Sequence, residues 1–194
     1  FGWVRPAPLH SLVDRRLWID LLDGLHTCLP HGAPLGLYQQ ASNLVDAYKT
    51  SEIDPETGLG VFALTAGITD RAEALEVLRA NTVWCLGLSG GRVHLGHEAE
   101  RAFRQGRVLT EDTVLHGVRG NYLVSDSGDL GPDDSLVWHM VGDTGRDHVQ
   151  IAELRRLIRE GDGLSERLTQ GLSLARENLR RNVASADGVQ TTGR

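Results

Sequence analysis

The chain has 194 residues, of which 40% are hydrophobic and 24% are charged, and its formal net charge is −6. This length suffices for one domain, or two small ones, with a buried core. The acidic balance excludes a uniformly basic nucleic-acid-binding protein, so any contact with DNA would need a local positive patch. Lys49 is the only lysine among the 20 basic residues, an arginine bias that indicates a GC-rich genome.

Hydropathy and cysteine usage indicate where the protein works. The sequence contains no apolar run long enough to span a membrane and no secretory signal pattern. Cys28 and Cys85 are too few to form a zinc site by themselves, and their spacing does not decide whether they pair. We therefore expect a cytoplasmic protein with reduced cysteines, no membrane contact and no cofactor.

The first third of the chain predicts helices. Apolar residues at helical spacing predict one helix over residues 9–25 and a second over 37–50, separated by a Pro/Gly-rich loop. The short apolar segment 59–67 fits either a strand or a buried helical turn, because periodicity alone does not distinguish them.

The central segment predicts a helix, a hairpin and another helix. Asp70 and Glu73 have the spacing of a capping box, which marks a helix start. Strand-forming residues and a glycine turn follow. The expected elements are a helix over 70–81, a strand over 82–86, a turn at Ser89-Gly90-Gly91, a strand over 92–95 and a helix over 97–105.

This segment, residues 68–105, resembles the recognition-helix and wing half of bacterial winged-helix proteins. The stretch 92–101 is similar to their last strand and following helix. The resemblance implies a non-enzymatic, oligomeric protein that binds DNA or a protein partner, with helix 70–81 as the recognition helix. The implied nucleic-acid contacts are Arg71, Arg79, Arg92, Arg101, Arg104 and, nearby in sequence, Arg107. The alternative is a plain packing unit whose arginines are solvated.

The second half of the chain is mixed and then helical. Short strands are candidates at 114–115, 122–124 and 136–138, and residues 125–134 predict an acidic loop. Apolar stripes predict a helical hairpin from two helices, over 151–158 and 164–183, broken at Gly161-Asp162-Gly163. We expect homo-oligomer contacts through these helices.

Taken together, these elements predict an α+β protein that is predominantly α-helical. The central helix–hairpin–helix unit would lie in a mixed helical domain, residues 1–146. The C-terminal helical hairpin and a Ser/Gly/Thr-rich tail would form a second unit, residues 147–194.

Metal-dependent chemistry is the first alternative function. His94 and His97 form one candidate pair of ligands. His139, Asp143 and Asp147 would share a face of a continuous helix, and segment 138–151 resembles the metal helix of DinB-like metalloenzymes. In the competing interpretation, Asp143 or Asp147 only caps the following helix. Ser125 and Ser127 lie beside acidic residues, but the sequence assigns no base to either serine.

A self-assembling structural protein is the second alternative. Several residues in the first 45 positions resemble the first two helices of rod-shaped plant virus coat proteins. They are Trp18, Asp20, Cys28, Gln39-Gln40-Ala41 and Val45. This resemblance implies a helical, coat-like subunit.

Overall fold

A computed structural model of the chain describes residues 2–68 and 76–187. Strands account for 38% of the described residues and helices for 31%, so the prediction of a predominantly α-helical fold is wrong. The strands are β1 (Trp3–His10), β2 (Leu17–Cys28), β3 (Lys49–Ile53), β4 (Gly60–Leu64), β5 (Ala80–Leu86), β6 (Arg92–His94), β7 (Val114–His116), β8 (Gly120–Leu130) and β9 (Ser135–Arg146). The helices are α1 (Leu35–Gln40), α2 (Ser42–Ala47), α3 (Glu98–Arg104), α4 (His148–Glu160) and α5 (Leu164–Asp187).

The strands form two antiparallel sheets that pack face to face. The larger sheet has the order β1-β9-β5-β4-β3-β7 and the smaller one β2-β8-β6. One buried cluster joins Phe62 and Met140 of the larger sheet to Tyr122 and Val124 of the smaller sheet. The main core therefore lies between the two sheets.

The C-terminal helices cover the opposite face of the larger sheet. Leu154 of α4 and Leu168 of α5 share a second buried cluster with Trp84 and Val141 of the sheet. Both predicted C-terminal helices are confirmed, and the break between them lies where Gly161 and Gly163 adopt positive φ angles of 69° and 67°. None of the described helices is both long and apolar enough to cross a membrane.

The helix predicted over residues 9–25 is wrong, because most of that segment belongs to strand β2. Leu17, Ile19 and Leu21 alternate with exposed Trp18 and Asp20. Leu17 and Leu21 are four residues apart, so they fit the spacing of a helix as well as that of a strand. Pairing with β8 along most of its length decides for the strand. The resemblance to rod-shaped coat proteins implies helices in this region, but Trp18, Asp20 and Cys28 lie in strand β2.

The predicted central hairpin is also absent from the described part of the chain. β5 belongs to the six-stranded sheet and β6 to the three-stranded one, so the two strands do not pair with each other. Half of the expected helix 70–81, including Asp70 and Arg71, lies outside the described residues; positions 76–79 have no regular structure and Ala80 begins β5. The helix expected over 97–105 is confirmed as α3.

Three further expectations are settled by the backbone. The segment 59–67 contains strand β4, which resolves the open choice there. The helix expected over 37–50 is divided into α1 and α2, and β3 already begins at Lys49. The acidic segment expected as a loop over 125–134 is largely strand, since β8 extends to Leu130.

Both cysteines are unpaired and lie against the core between the sheets. Burial raises the pKa of the Cys28 thiol to about 12 and that of the Cys85 thiol to about 12. Each thiol is thereby held in its protonated, weakly nucleophilic form.

Candidate functional site

The outer face of the smaller sheet brings together side chains that are distant in sequence. Val124 points into the core, so its neighbour Ser125 points outward. Arg92 of β6 lies directly opposite Ser125, and His94 lies opposite Leu123. His94 and Ser125 are therefore diagonal neighbours on one face of an antiparallel pair.

His94 and Ser125 form a hydrogen-bonded pair with a fixed direction. The His94 Nδ1 atom lies 2.8 Å from the Thr110 carbonyl oxygen, and its Nε2 atom lies 2.8 Å from Ser125 Oγ. A carbonyl oxygen can only accept, so in the neutral ring Nδ1 carries the proton and donates it. Nε2 is then a lone-pair acceptor, and the Ser125 hydroxyl donates to it. His94 is only 1% exposed, so the surrounding atoms hold its ring in this orientation.

An open cleft of about 750 Å³ gives solvent access to this pair. Half-buried Ser125 lies in its wall, while the ring of Phe103 from α3 and Leu109 from the following loop supply apolar surface. Charged residues of both signs surround the serine, namely Asp20, Arg92, Arg107 and Asp126. The cleft can therefore accommodate a polar substrate next to a serine hydroxyl that is already bonded to a base.

The charged groups of the cleft are partly paired. Arg92 Nη1 lies 3.0 Å from Glu111 Oε1, and Arg107 Nε donates to Gln105 Oε1 at 2.9 Å. The backbone N–H of Ser127 donates to Asp126 Oδ1 at 2.9 Å, which holds that carboxylate at the strand. Arg92 keeps most of its side chain exposed, so its charge remains available to a bound ligand.

Two of the described arginines expected to contact DNA, Arg79 and Arg92, line different cavities. Arg79 donates to the Gly145 carbonyl oxygen in a cavity beside the start of α4, away from the cleft that contains Arg92. On α3, Arg101 is paired with Glu98, and Arg104 with Glu100 at 2.7 Å. Arg71 lies outside the described residues. A nucleic-acid role for these residues stays a prediction.

The histidines expected to bind metal are engaged elsewhere. Both ring nitrogens of His94 are hydrogen-bonded, and His97 Nδ1 accepts from Asn121 Nδ2 at 3.1 Å. His139 is on strand β9 beside a different cavity. Among residues 2–68 and 76–187, no group of three His, Cys, Asp or Glu side chains could hold a metal ion.

The alternative metal helix is replaced by a strand and a helix cap. Asp143 lies in β9, where Arg146 Nη2 pairs with it at 2.5 Å. Asp147 is the N-cap of α4, accepts from the Gln150 backbone N–H at 2.9 Å and completes a capping box. The expectation of one helix through His139, Asp143 and Asp147 is therefore wrong, and the capping interpretation of Asp147 is confirmed.

Sequence reasoning found His94 but missed its partner. His94 and Ser125 are 31 residues apart, and Ser125 was expected in a loop. The available signal was partial, since Arg92-Val93-His94 alternates polar and apolar residues, whereas Ser125-Asp126-Ser127 are three consecutive polar residues without alternation. The pairing of the two strands, which the sequence does not state, is what brings them together.

The comparisons with known proteins do not suggest a function. No known family model matches this sequence, and no curated protein shows significant similarity to it. The geometry of the cleft is therefore the basis for any proposal of function.

Proposed function

We propose that this protein is a serine hydrolase of acyl compounds, with Ser125 as nucleophile and His94 as general base. The observation that carries the proposal is the 2.8 Å contact between Ser125 Oγ and His94 Nε2, with the opposite ring nitrogen bound to the Thr110 carbonyl. A nucleophile, a base and a group that orients the base form the arrangement that activated serines require.

The reaction follows from this arrangement. Ser125 Oγ attacks the carbonyl carbon of an ester or amide while its proton passes to His94 Nε2. The tetrahedral intermediate then breaks the bond to the leaving alcohol or amine, which takes that proton from His94. Water attacks the acyl-serine, giving its proton to His94. Release of the carboxylic acid returns the proton to Ser125 Oγ, so one water is consumed per bond broken.

Two neighbouring groups support these steps. The Thr110 carbonyl keeps the proton on Nδ1 and interacts favourably with the imidazolium that forms during attack. Arg92, opposite Ser125 on the same face, is a positive charge placed near the developing oxyanion.

A fluorophosphonate probe tests the proposal, because it reacts covalently with activated serines. We expect the wild-type protein to be labelled and to hydrolyse p-nitrophenyl acetate, and Ser125→Ala to lose both reactions. Ser127→Ala is the matched control, since Ser127 lies two residues further along the same strand and lines the same cleft. Labelling that is absent in the wild type, or equal in wild type and Ser125→Ala, would contradict the proposed role.

The exposed part of α5 favours a second, independent role in self-association. Leu164 and Leu168 are buried against the body of the protein, but the apolar stripe continues through Leu172 to Leu179 and Val183. Leu179 is 64% exposed and Val183 is 50% exposed. An amphipathic helix gains most of its stability by packing its apolar face. We propose that a second copy of α5 packs on this stripe across a two-fold axis.

Light scattering coupled to size-exclusion chromatography tests the second role. We expect a dimer in the wild type and a monomer for Leu179→Glu, because a carboxylate in the centre of the stripe would be buried without a partner. Leu174→Glu is the control, since Leu174 is on the same helix, 61% exposed and off the stripe. A wild-type monomer at the concentrations used would refute dimerisation through α5.

A further inference from the structure

The edge of strand β8 that faces β6 is open beyond Ser125. β6 is only three residues long and begins at Arg92, opposite Ser125, whereas β8 continues to Leu130. Its other edge pairs with β2 along this stretch. Within the described chain, no strand pairs with the free edge of residues 126–130. Backbone donors and acceptors on such an edge are available to an added strand.

A second cavity follows this open edge. It measures about 370 Å³ and is lined by every residue from 126 to 130. Side chains on one face of a strand occupy alternate positions, so a cavity on one face would be lined by alternate residues. The lining also includes Ile19 and Leu21 of β2, so the cavity extends over the face of the sheet beside the open edge. It shares Leu21, Gly90, Asp126 and Ser127 with the cleft of Ser125, so the two spaces are adjacent.

Gly90 keeps the preceding turn tight against the start of the open edge. A Cβ atom at Gly90 would lie 2.7 Å from Asp126 Oδ1, closer than real Cβ contacts come. The absence of a side chain therefore lets the turn pass beside Asp126.

We propose that the open edge of β8 binds an extended peptide as an added strand, and that this peptide is the substrate class of the Ser125 cleft. The inference rests on the proposed hydrolase function, because it names the substrate of the same site. A strand added in line with β6 ends beside Ser125. Its alternate side chains point to the two faces of the sheet, one towards the 750 Å³ cleft and the other towards the 370 Å³ cavity.

Charge selects the kind of peptide. Asp126, Asp129 and Asp134 line the smaller cavity, and none of the described residues around it is a lysine or an arginine. Aliphatic side chains, including Ile19 and Leu136, form the rest of its wall. A lysine or arginine side chain fits this environment, because its methylene stem packs on apolar surface while its charged end reaches a carboxylate. The substrate is therefore an extended peptide with a basic side chain at the position facing this cavity.

Binding is measured separately from cleavage by using Ser125→Ala. A fluorescein-labelled short peptide that alternates valine and lysine serves as the probe in an anisotropy titration. N-methylation of the alternate amides that face β8 should weaken binding roughly tenfold or more, since it removes several backbone hydrogen bonds to the open edge. N-methylation of the other amides leaves the side chains and the charge unchanged and is the control; it should have little effect.

Charge recognition has its own matched pair of variants. In the Ser125→Ala background, Asp126→Asn should weaken binding of the lysine peptide roughly threefold, because Asp126 lines the smaller cavity and lies on the face of β8 opposite to Ser125. Asp133→Asn removes the same charge from the adjoining turn, outside the lining of the smaller cavity, and should leave the affinity unchanged. A glutamate-for-lysine peptide should bind more weakly to the parent protein.

The outcomes separate this inference from the proposed function. Fluorophosphonate labelling of Ser125 without any peptide binding would overturn the substrate assignment and leave the hydrolase proposal intact. Backbone-dependent peptide binding without labelling or cleavage would support the docking edge and overturn the hydrolase proposal. Binding that is unaffected by the position of the N-methyl groups would overturn the added-strand geometry.

Discussion

Asp23 is the residue that ties both sheets together through one carboxylate. Its Oδ2 atom accepts from Arg5 Nη2 of β1 at 2.6 Å and from Trp138 Nε1 of β9 at 2.7 Å, while Asp23 itself belongs to β2. Burial opposes ionisation of this group, but the hydrogen bonds from Arg5 and Trp138 outweigh it and lower the pKa of Asp23. The charged form is therefore the one that the folded protein stabilises.

Asp23→Asn should lower the free energy of unfolding at neutral pH by ~2 kcal/mol, the usual contribution of hydrogen bonds to a charged group. The lowered pKa means that this contribution is complete above the unfolded value of about 3.9 and is lost as the pH falls through the folded pKa. Urea titrations at neutral and acidic pH should show the gap between wild type and variant closing on acidification. Asp14→Asn, on an exposed loop, is the control, and a gap that widens at acidic pH would contradict this account.

At the scale of elements, local sequence fixes the helix ends well and the strand partners poorly. Asp147 and Gln150 cap α4 through contacts three residues apart, so a sequence pattern can anticipate them. β2 pairs with β8, which lies about a hundred residues further along the chain, and no local sequence pattern predicts that pairing. Val13, Leu17 and Leu21 consequently predict a helix, because they are spaced four residues apart and nothing local indicates the distant strand.

Asp147→Ala tests the predictable part of this scale. Loss of the side-chain acceptor leaves the Gln150 backbone N–H without its partner, so the free energy of unfolding should fall by about 1 kcal/mol. Thermal melts followed by circular dichroism report the change. Asp162→Ala, in the break between α4 and α5, removes an equal charge without removing a cap and should melt near the wild-type temperature. Equal destabilisation in both variants would assign the effect to charge rather than to capping.

The candidate site could be predicted only in part, because it also depends on strand pairing that the sequence does not reveal. His94 was recognisable as a reactive residue type, because histidine titrates near neutral pH and binds metals. Its position between Ser125 and the Thr110 carbonyl indicates a general base rather than a metal ligand, and the sequence alone does not show these two neighbours. Those neighbours come from β8 and from the loop before β7, so the site depends on tertiary pairing rather than on a motif.

At the scale of the whole molecule, the C-terminal helices share a core with the sheet. Leu154, Leu164 and Leu168 are buried with Trp84 and Val141 in one cluster. The sequence-based division at residue 146 stays a prediction, but this cluster means that α4 and the start of α5 contribute apolar contacts to the larger sheet. We therefore expect a single cooperative unfolding transition.

Leu168→Ala measures that shared core. Leu168 is fully buried, so its truncation should cost about 2–5 kcal/mol of unfolding free energy and shift the one transition as a whole. Leu174→Ala, two turns further along the same helix and 61% exposed, should stay within about 0.5 kcal/mol of the wild type. Two separate transitions, with only the weaker one shifted by Leu168→Ala, would show that the helices unfold as an independent unit.

Because the pKa of each native thiol is raised, Cys28 and Cys85 should react only slowly with maleimides in the folded protein. Thiolate is the form that reacts, and burial suppresses it at both Cys28 and Cys85. A single cysteine introduced on the exposed face of α5 could therefore carry a fluorophore without removing either native one. Because the native thiols are partly buried against the core between the sheets, an increase in their modification rate would report that the packing around them has loosened.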